Sequence, residues 1–260
     1  MNGSVLWKIL SPSGQSSYLM GTMHVKDNVA YTHVRKAESK LSYCTHYFGE
    51  IDLDHAQEII QPEDYLLPKG QHLRQLISVR HYQKMAAVLA KVYGVSLDGL
   101  GHFYPLMIVN QISEILLKED NALALDHYLW MKAKEEGKQM GGVEAVDRQV
   151  EILHSLDLDS QIKALKDLCR RVRQFNKSVL KLVSLYEQED IQKIYQLSKK
   201  QLGKLRTLML YERNLNMADF IANQAHLNAF YAVGAAHLGG NKGILALLKR
   251  RGWQLMPLRS

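Results

Sequence analysis

Two histidines that lie 213 positions apart each follow a hydrophobic run by the same spacing, Gly-x-x-His. His24 ends the stretch YLMGTMH, and His237 ends the stretch FYAVGAAH. Two glutamates, Glu50 and Glu144, also come shortly after glycines at the ends of apolar, β-rich runs. Imidazole and carboxylate groups together suit zinc, manganese, iron or cobalt. We therefore expect both histidines and one glutamate to hold a divalent ion, while the other glutamate activates water as a general base.

Each of these residues also has a purely structural interpretation. A histidine at the end of a strand is often only hydrogen-bonded within the fold, and one Gly-x-x-His match carries little weight in a chain with 11 histidines. Glu144 could be an early helix residue that the helix dipole favours, and Glu50 could be exposed at a strand end. The spacing by itself leaves the structural interpretation and the metal site both open.

An arginine and an asparagine interrupt a helical apolar pattern near the C-terminal end of the chain. The stretch LMLYERNLNMADFI has apolar residues at helical spacing, namely Leu208, Met209, Tyr211, Leu215, Ala218 and Ile221. Arg213 and Asn214 lie within this stripe. A buried arginine needs an anionic partner, for which Glu50, Glu144 or a substrate carboxylate are the candidates. The alternative is a surface arginine whose charged end extends into water.

Short apolar runs and the helical patterns between them indicate which elements would position these residues. Six runs are typical of strands, at 5–10, 18–23, 45–53, 138–144, 230–237 and 253–258. A Ser-Pro-Ser-Gly turn joins the first two, which predicts an antiparallel hairpin. Helical spacing predicts helices over 73–92, 121–136, 160–186, 190–202, 206–227 and part of 243–252.

Strands that alternate with helices predict a particular fold class. We expect an α/β fold with a mostly parallel central sheet, flanking helices and a large helical insertion at about 145–228, between the fourth and fifth strands. In open α/β sheets, ligands bind outside the carboxyl ends of the strands. If the strands are parallel neighbours, the two histidines and the two glutamates converge on one crevice.

The composition is that of a folded domain. With 260 residues, of which 47% are hydrophobic, the chain can bury a sizeable core, and we expect one domain over 1–260. No apolar run reaches the roughly 18–20 residues that span a bilayer, and no signal peptide is visible, so we expect no transmembrane segment and leave the compartment open. Cys44 and Cys169 have no partner at the spacing of a metal site or a disulfide framework.

Positive charge is concentrated in residues 160–206, which contain twelve Lys and Arg residues against four Asp and Glu residues. The formal net charge of the whole chain is +7. Such a segment can bind nucleic acid, but no aromatic stacking set accompanies it. We interpret it as a solvated helix face and expect no nucleic-acid partner.

Several motifs, taken together and in order, resemble the TraB/GumN family. They are LMGTMHV, FGEIDLD, GGVEAVDRQ, YERNLNMAD and YAVGAAHLGGNKGILALLKRRGW, and the resemblance runs from about residue 5 to residue 258. This family includes the Tiki metalloproteases and bacterial proteins linked to the shutdown of peptide pheromones. One small difference is that this chain has Gly-Val-Glu where Gly-Leu-Glu is common.

The resemblance implies a peptidase that depends on a divalent metal ion, on a fold similar to that of ChaN and the erythromycin esterases. The ion would be manganese, cobalt or zinc, bound by His24, His237 and Glu50. Glu50 and Glu144 would be the catalytic carboxylates, and the resemblance does not decide which is the ligand and which is the base. Many relatives are exported or membrane-anchored.

The resemblance also implies residues that contact the substrate, which would be a peptide or protein. Arg213 and Asn214 match the Arg-Asn pair of the family and would hold a substrate carboxylate or the tetrahedral oxyanion. Gln149 matches a glutamine that follows the second glutamate, and it would also bind substrate. The oligomeric state is left open. Two other functions remain, a metal-independent hydrolase of the esterase type and a non-catalytic protein that binds a ligand such as haem.

Overall fold

Six apolar segments form the strands of one sheet in the computed structural model, which describes residues 3–259. Each lies close to a segment that the sequence predicts as a strand. The strands are β1 Leu6–Leu10, β2 Ser16–Thr22, β3 His46–Ile51, β4 Gln139–Glu144, β5 Ala229–Gly234 and β6 Gln254–Pro257. Strand β5 is buried along nearly its whole length, as expected for a strand covered on both faces.

The strand order is β4-β3-β5-β2-β1-β6, and the sheet is mixed. The four strands β4, β3, β5 and β2 run parallel to one another, whereas β1 pairs antiparallel with both β2 and β6. The prediction of an α/β fold is confirmed, and so is the antiparallel hairpin of the first two strands. Helices provide the crossover connections that parallel neighbours need. The carboxyl ends of four strands therefore lie at one edge of the sheet.

Helices occupy most of the chain between the strands. Among the described residues, no helix combines the length and the apolar character needed to cross a membrane. Short 3-10 turns lie at 28–33, 62–65, 68–70, 203–205 and 235–237, and a π-helical turn lies at 207–212. The α-helices are α1 Val34–Leu41, α2 Leu53–Ile59, α3 Leu73–Leu76, α4 Val79–Tyr93, α5 Leu97–Leu100, α6 Pro105–Ile115, α7 Leu125–Glu135, α8 Val146–Ser155, α9 Leu158–Arg170, α10 Val172–Glu187, α11 Ile191–Leu202, α12 Arg213–Asn223 and α13 Ile244–Arg250.

Two helices expected from apolar spacing are each interrupted. The helix expected over 73–92 is divided because Ile77 and Ser78 adopt extended backbone conformations, which end α3 before α4 begins. The helix expected over 160–186 is divided at Arg171, which leaves helical geometry between α9 and α10. Apolar periodicity does not detect a break of one or two residues, because the buried stripe resumes on the other side.

The chain divides by its internal contacts into two units. The sheet unit contains the described residues up to Ile59, Lys118–Gln149 and the described residues from Lys181 onward, and it holds the six strands. The helical unit contains Ile60–Leu117 and Val150–Leu180. Each unit has a hydrophobic core of its own. The single domain over the whole chain stays a prediction.

Aromatic side chains from neighbouring strands fill the core of the sheet unit. Phe48 stacks on Tyr231 with ring centroids 5.4 Å apart, and Tyr47 stacks on Phe230 at 6.0 Å. Trp130 of α7 packs edge-on against Tyr47. Such an aromatic pair contributes about 0.5–1.5 kcal/mol beyond the burial of its area. These contacts hold β3 and β5 in register next to the residues that follow them at the sheet edge.

A buried carboxylate anchors the start of β1. Glu189, between α10 and α11, adopts a φ of 55°. Its Oε1 accepts hydrogen bonds from Ser4 Oγ at 3.1 Å, from the backbone N of Val5 at 3.3 Å and from Lys36 Nζ at 3.0 Å. Burial raises the pKa of Glu189, but Lys36 and the other donors outweigh burial, so the pKa lies below its ordinary value. This ion pair ties β1 to α1 and to the turn before α11.

Candidate active site

Four of the residues nominated from the sequence lie at, or just beyond, the carboxyl ends of neighbouring parallel strands. Glu50 lies in β3, and Glu144 is the last residue of β4. His24 lies two residues beyond β2, and His237 ends the 3-10 turn that follows β5. Because these strands run parallel, their carboxyl ends meet at the same edge of the sheet. The topology therefore places all four residues at one edge.

The glycine of the first Gly-x-x-His motif allows the two motifs to touch. A Cβ on Gly21 would lie 2.9 Å from the Cα of Ala235 and 3.1 Å from the side chain of Leu238. These separations are shorter than the roughly 3.5–4.0 Å at which carbon atoms pack. Ala235 belongs to the second motif, so the backbone of the second motif packs directly on β2 at a position that only glycine permits.

The glycine of the second motif brings a carboxylate beside an imidazole. The N–H of Gly234 donates to Oε2 of Glu50 at 2.8 Å. A Cβ on Gly234 would lie 3.2 Å from that oxygen and 3.4 Å from Cδ2 of His237. Glu50 and His237 thus both lie beside Gly234. We call this part of the site the Glu50–His237 corner.

The guanidinium of Arg213 bridges the two glutamates. Its Nε donates to Glu144 Oε1 at 3.2 Å and to Oε2 at 2.9 Å, and its Nη2 donates to Oε2 at 2.5 Å. The same Nη2 also donates to Oε1 of Glu50. Gln149 adds weaker contacts, because its Nε2 lies 3.3 Å from Glu50 Oε1 and 3.5 Å from Glu144 Oε2. Arg213 is only 8% exposed, so one buried cation faces two carboxylates.

The two carboxylates differ in how easily they take up a proton. Burial would raise the pKa of Glu50, but Arg213, His237 and the N–H of Gly234 together bring it down to about 2. Burial raises the pKa of Glu144 above its ordinary value, and the negative charge of Glu50 acts in the same direction, against the effect of Arg213. Glu50 is therefore the carboxylate that stays ionised, and Glu144 is the one closer to accepting a proton near neutral pH.

A buried amide contacts the imidazole of the corner. Asn214 is fully buried, and its Oδ1 lies 2.6 Å from Nδ1 of His237. Its Nδ2 donates to the backbone oxygen of Lys242 at 2.8 Å. Burial lowers the pKa of His237 to about 4, and the charge of Arg213 acts in the same direction while Glu50 opposes both. The imidazole is therefore neutral at pH 7 and keeps a lone pair on one ring nitrogen.

A π-helical turn leads into α12, whose buried face begins with the Arg-Asn pair. This turn, Thr207–Glu212, directly precedes Arg213, and its hydrogen bonds span one residue more than those of an α-helix. Leu215, which the sequence pattern places in the buried stripe, is 47% exposed. The expected stripe is wrong at that position, because the buried residues of α12 keep α-helical spacing on a face that leaves Leu215 outside. The buried face of α12 consists of Arg213, Asn214, Met217, Ala218 and Ile221.

His24 lies in different surroundings from His237. Its side chain is 59% exposed, and its Nδ1 lies 2.7 Å from Oδ2 of Asp126. The ring of His127 packs edge-on at a centroid distance of 5.6 Å. Asp126 and His127 both lie in the first turn of α7. Sequence reasoning missed Asp126, because an acid in the first turn of a helix is common and nothing else in the sequence marks it.

The donor atoms at this sheet edge are imidazole nitrogens and carboxylate oxygens. His237 and Glu50 meet at the corner, and Glu144 is joined to Glu50 through Arg213. Across residues 3–259, no three side chains of His, Cys, Asp or Glu are grouped so that they could hold a metal ion as they stand. The arrangement combines an ionised carboxylate, a neutral imidazole and a second carboxylate with a raised pKa, which are groups able to bind a cation and to move a proton.

Comparison with known proteins gives one match that covers nearly the whole chain. The model of the TraB/PrgY/gumN family matches residues 5–257. No solved structure matches the chain.

Curated relatives of this chain carry the name metalloprotease. Metalloprotease TIKI2 of Danio rerio is 23% identical, in an alignment that covers 97% of this chain and 60% of the relative. Metalloprotease TIKI homolog of Nematostella vectensis is 21% identical, with 97% and 66% covered. Metalloprotease TIKI1 of Homo sapiens is 22% identical, with 97% and 61% covered. The chain thus spans between 60% and 66% of the length of these relatives.

Proposed function

The chain belongs to the TraB/PrgY/gumN family, and from this premise we propose that it is a divalent-metal-dependent hydrolase that cleaves peptide bonds. Relatives named metalloprotease support this reaction class, at identities of 21–23%. The observation that carries the proposal is the Glu50–His237 corner. There an ionised carboxylate and a neutral imidazole lie together beside a second carboxylate that Arg213 holds.

Imidazole and carboxylate are the donor types that manganese, cobalt and zinc accept together. Glu50 and His237 would bind the ion at the corner. His24 follows β2, the strand next to β5, and would complete the set as the most exposed of the three side chains. When bound, the ion would supply a water molecule whose pKa is lowered toward about 7.

The other residues of the site then have distinct roles. Glu144 is the general base, because its raised pKa brings it closer to neutral pH and Arg213 holds its carboxylate in place. Arg213 also presents its positive charge to the tetrahedral oxyanion or to a substrate carboxylate. Gln149, which contacts both glutamates, would bind the peptide through its amide oxygen.

Two glutamate substitutions separate the proposed roles. Glu50→Gln should weaken the binding of Mn²⁺, Co²⁺ and Zn²⁺, measured by calorimetry, by about tenfold or more, because it removes an anionic ligand. Glu144→Gln should retain metal binding but lower kcat for peptide cleavage by roughly 10²–10⁴, the usual contribution of a general base. Glu58→Gln is the matched control, since Glu58 lies in α2 with its side chain 78% exposed.

Two results would contradict the proposal. Cleavage that survives complete chelation of the metal would favour a metal-independent hydrolase of the esterase type. Failure of all three ions to bind, with no cleavage of a peptide library, would favour a non-catalytic protein, and a haem absorbance band after mixing would identify one form of it.

A further inference from the structure

Strand β4 is an edge strand of the sheet, and it ends at the candidate active site. Among the described strands it pairs with β3 alone, in parallel. Its last residue is Glu144, the carboxylate that Arg213 holds and that we assign as the general base. The outer edge of β4 therefore leads along the strand to the proposed catalytic residues.

The hydrogen bonds of β4 show which of its backbone groups face outward. The N–H of Gln139 donates to the backbone oxygen of Thr45 at 3.0 Å, so Gln139 faces β3. In a parallel ladder, every second residue directs both its N–H and its C=O to the same neighbouring strand. Met140 and Gly142 consequently direct their N–H and C=O groups away from β3. Within residues 3–259, these outward groups have no backbone hydrogen-bond partner.

Helices pack on both faces of this part of the sheet. Trp130 of α7 packs edge-on against Tyr47 with ring centroids 5.9 Å apart. Phe220 of α12 packs edge-on against Phe48 at 5.2 Å. Tyr47 and Phe48 are consecutive in β3, so their side chains point to opposite faces. Both helices also contact β4, and its two outward-facing residues are only partly buried, so the accessible side of the strand is its edge.

The two edges of the sheet differ in how they are protected. Strand β6 has four residues and contains Pro257, which has no N–H. A short strand and a proline are two of the features that prevent an edge from pairing with another chain. Strand β4 has six residues, no proline and two adjacent glycines. An edge of this kind can accept another extended chain.

We infer that the peptide substrate binds as an additional strand along the outer edge of β4, hydrogen-bonded through its main chain to Met140 and Gly142. The bond to be cleaved then lies beyond these two residues, at the level of Glu144. A chain added to a sheet edge is held by main-chain hydrogen bonds, which suits extended segments of varied sequence. The cleavage step of this inference rests on the proposed function, whereas binding at the edge rests on the geometry of β4.

The position and the size of the edge favour a peptide over a second copy of the chain. A strand rises about 3.3 Å per residue, so Glu144 lies about 7 Å beyond Gly142 along β4. A peptide paired with Met140 and Gly142 therefore reaches the level of Glu144 after about two more of its own residues. A stable dimer buries about 1,200–2,000 Å², which is more than an edge with two outward-facing residues provides by itself.

Met140 allows one outward N–H to be removed without the loss of a ladder hydrogen bond. Met140→Pro deletes this N–H at a position where an edge strand tolerates proline, and Met140→Ala is the matched control that loses the side chain but keeps the N–H. For the best-cleaved member of a library of short unstructured peptides, KM should be about three- to tenfold higher in Met140→Pro than in Met140→Ala. The kcat values should differ by less than about twofold, because Glu144 and its contacts are unchanged. Circular dichroism and Tm check that both variants fold.

Two further measurements do not depend on the folding of a proline variant. The same peptide, N-methylated at one backbone nitrogen at a time, should show a raised KM at alternate positions on one side of the cleaved bond, because every second N–H faces β4. In Glu144→Gln, saturating peptide should slow the hydrogen exchange of the Met140 and Gly142 amides at least about fivefold. The amide of Leu255 in β6 is the control and should be unaffected. Exchange is followed by NMR of the ¹⁵N-labelled protein, with the whole library as the probe if no single peptide is cleaved.

The outcomes separate this inference from the proposed function. A higher KM in Met140→Pro, alternating sensitivity to N-methylation and protection of the two outward amides would support the inference. Cleavage with equal KM in the two Met140 variants, or without protection of the Met140 and Gly142 amides, would overturn the inference and leave the proposed function standing. Protection of these amides in a protein whose wild type cleaves no peptide would support binding at the edge and overturn the proposed function. Neither cleavage nor protection would overturn both, and a wild-type dimer that Met140→Pro dissociates would assign the edge to a second copy instead.

Discussion

Substitution of Arg213 by leucine should lower the free energy of unfolding by about 3–5 kcal/mol, because it leaves a buried carboxylate without its counter-charge. At about 4 Å and an effective dielectric constant of about 20, one ion pair has an attraction of about 4 kcal/mol. Arg213 faces two carboxylates, but the cost of burying the cation offsets part of this attraction. The side chain of Glu50 is 29% exposed whereas that of Glu144 is 3% exposed, so Glu144 accounts for most of the loss.

Urea denaturation at pH 7 measures this change, with an exposed arginine as the control. Arg173→Leu, in α10, should change the free energy of unfolding by less than about 0.5 kcal/mol. Arg213→Lys keeps the charge but loses the planar fork that contacts both oxygens of Glu144, so its effect should be intermediate. Adding Glu144→Gln to Arg213→Leu should recover part of the stability, because it removes the unpaired charge.

The effect of Arg213→Leu should also depend on pH. Burial raises the pKa of Glu50, but Arg213, together with His237 and the N–H of Gly234, lowers it from 4.5 to about 2, so the folded protein gains stability above pH 4.5 that is lost as the pH falls toward 2. The difference in unfolding free energy between wild type and Arg213→Leu should therefore shrink over this range. A difference that stays constant with pH, or equal stabilities of Arg213→Leu and Arg173→Leu at pH 7, would refute a buried ion pair at this site.

Three further predictions concern other positions of the sheet unit. Glu189→Gln should destabilise the protein by about 1–3 kcal/mol at pH 7. Burial raises the pKa of Glu189 but Lys36 and the other donors lower it below 4.5, so the difference in unfolding free energy should shrink as the pH falls from 4.5 through this lowered pKa. Urea denaturation at pH 7 and at pH 3 measures the difference, and an equal gap at both pH values would contradict the prediction. Gly21→Ala should cost about 1–3 kcal/mol through overcrowding, visible as a lower Tm, and an unchanged Tm would exclude the close packing of the two motifs. His24→Ala and His237→Ala should each abolish metal binding in calorimetry with a native circular dichroism spectrum, and normal uptake in both would rule out a site centred on these histidines.

Local patterns in the sequence predict which strands and helices this fold contains better than they predict where each of them begins and ends. The six strands and the first hairpin follow from short apolar runs and a Ser-Pro-Ser-Gly turn, which act over a few residues. The breaks at Ile77 and Arg171 and the π turn before Arg213 are not visible in the sequence, because each changes the helix by only one or two residues.

The same distinction applies to the candidate site: the sequence determines some of its features, and the tertiary structure determines the others. Residue type and spacing alone nominate the histidines of the two Gly-x-x-His motifs, the glutamates at the strand ends and an arginine that needs an anion. Only the sheet order, with β5 between β2 and β3, decides that Glu50 meets His237 over Gly234. The contacts of Asp126 with His24 and of Asn214 with His237 are likewise invisible in the sequence, because a hydrogen bond depends on the position of two atoms about 3 Å apart and these partners come from separate parts of the chain. Spacing along the chain determines which groups are present, and the packing of helices on strands determines which atoms face one another.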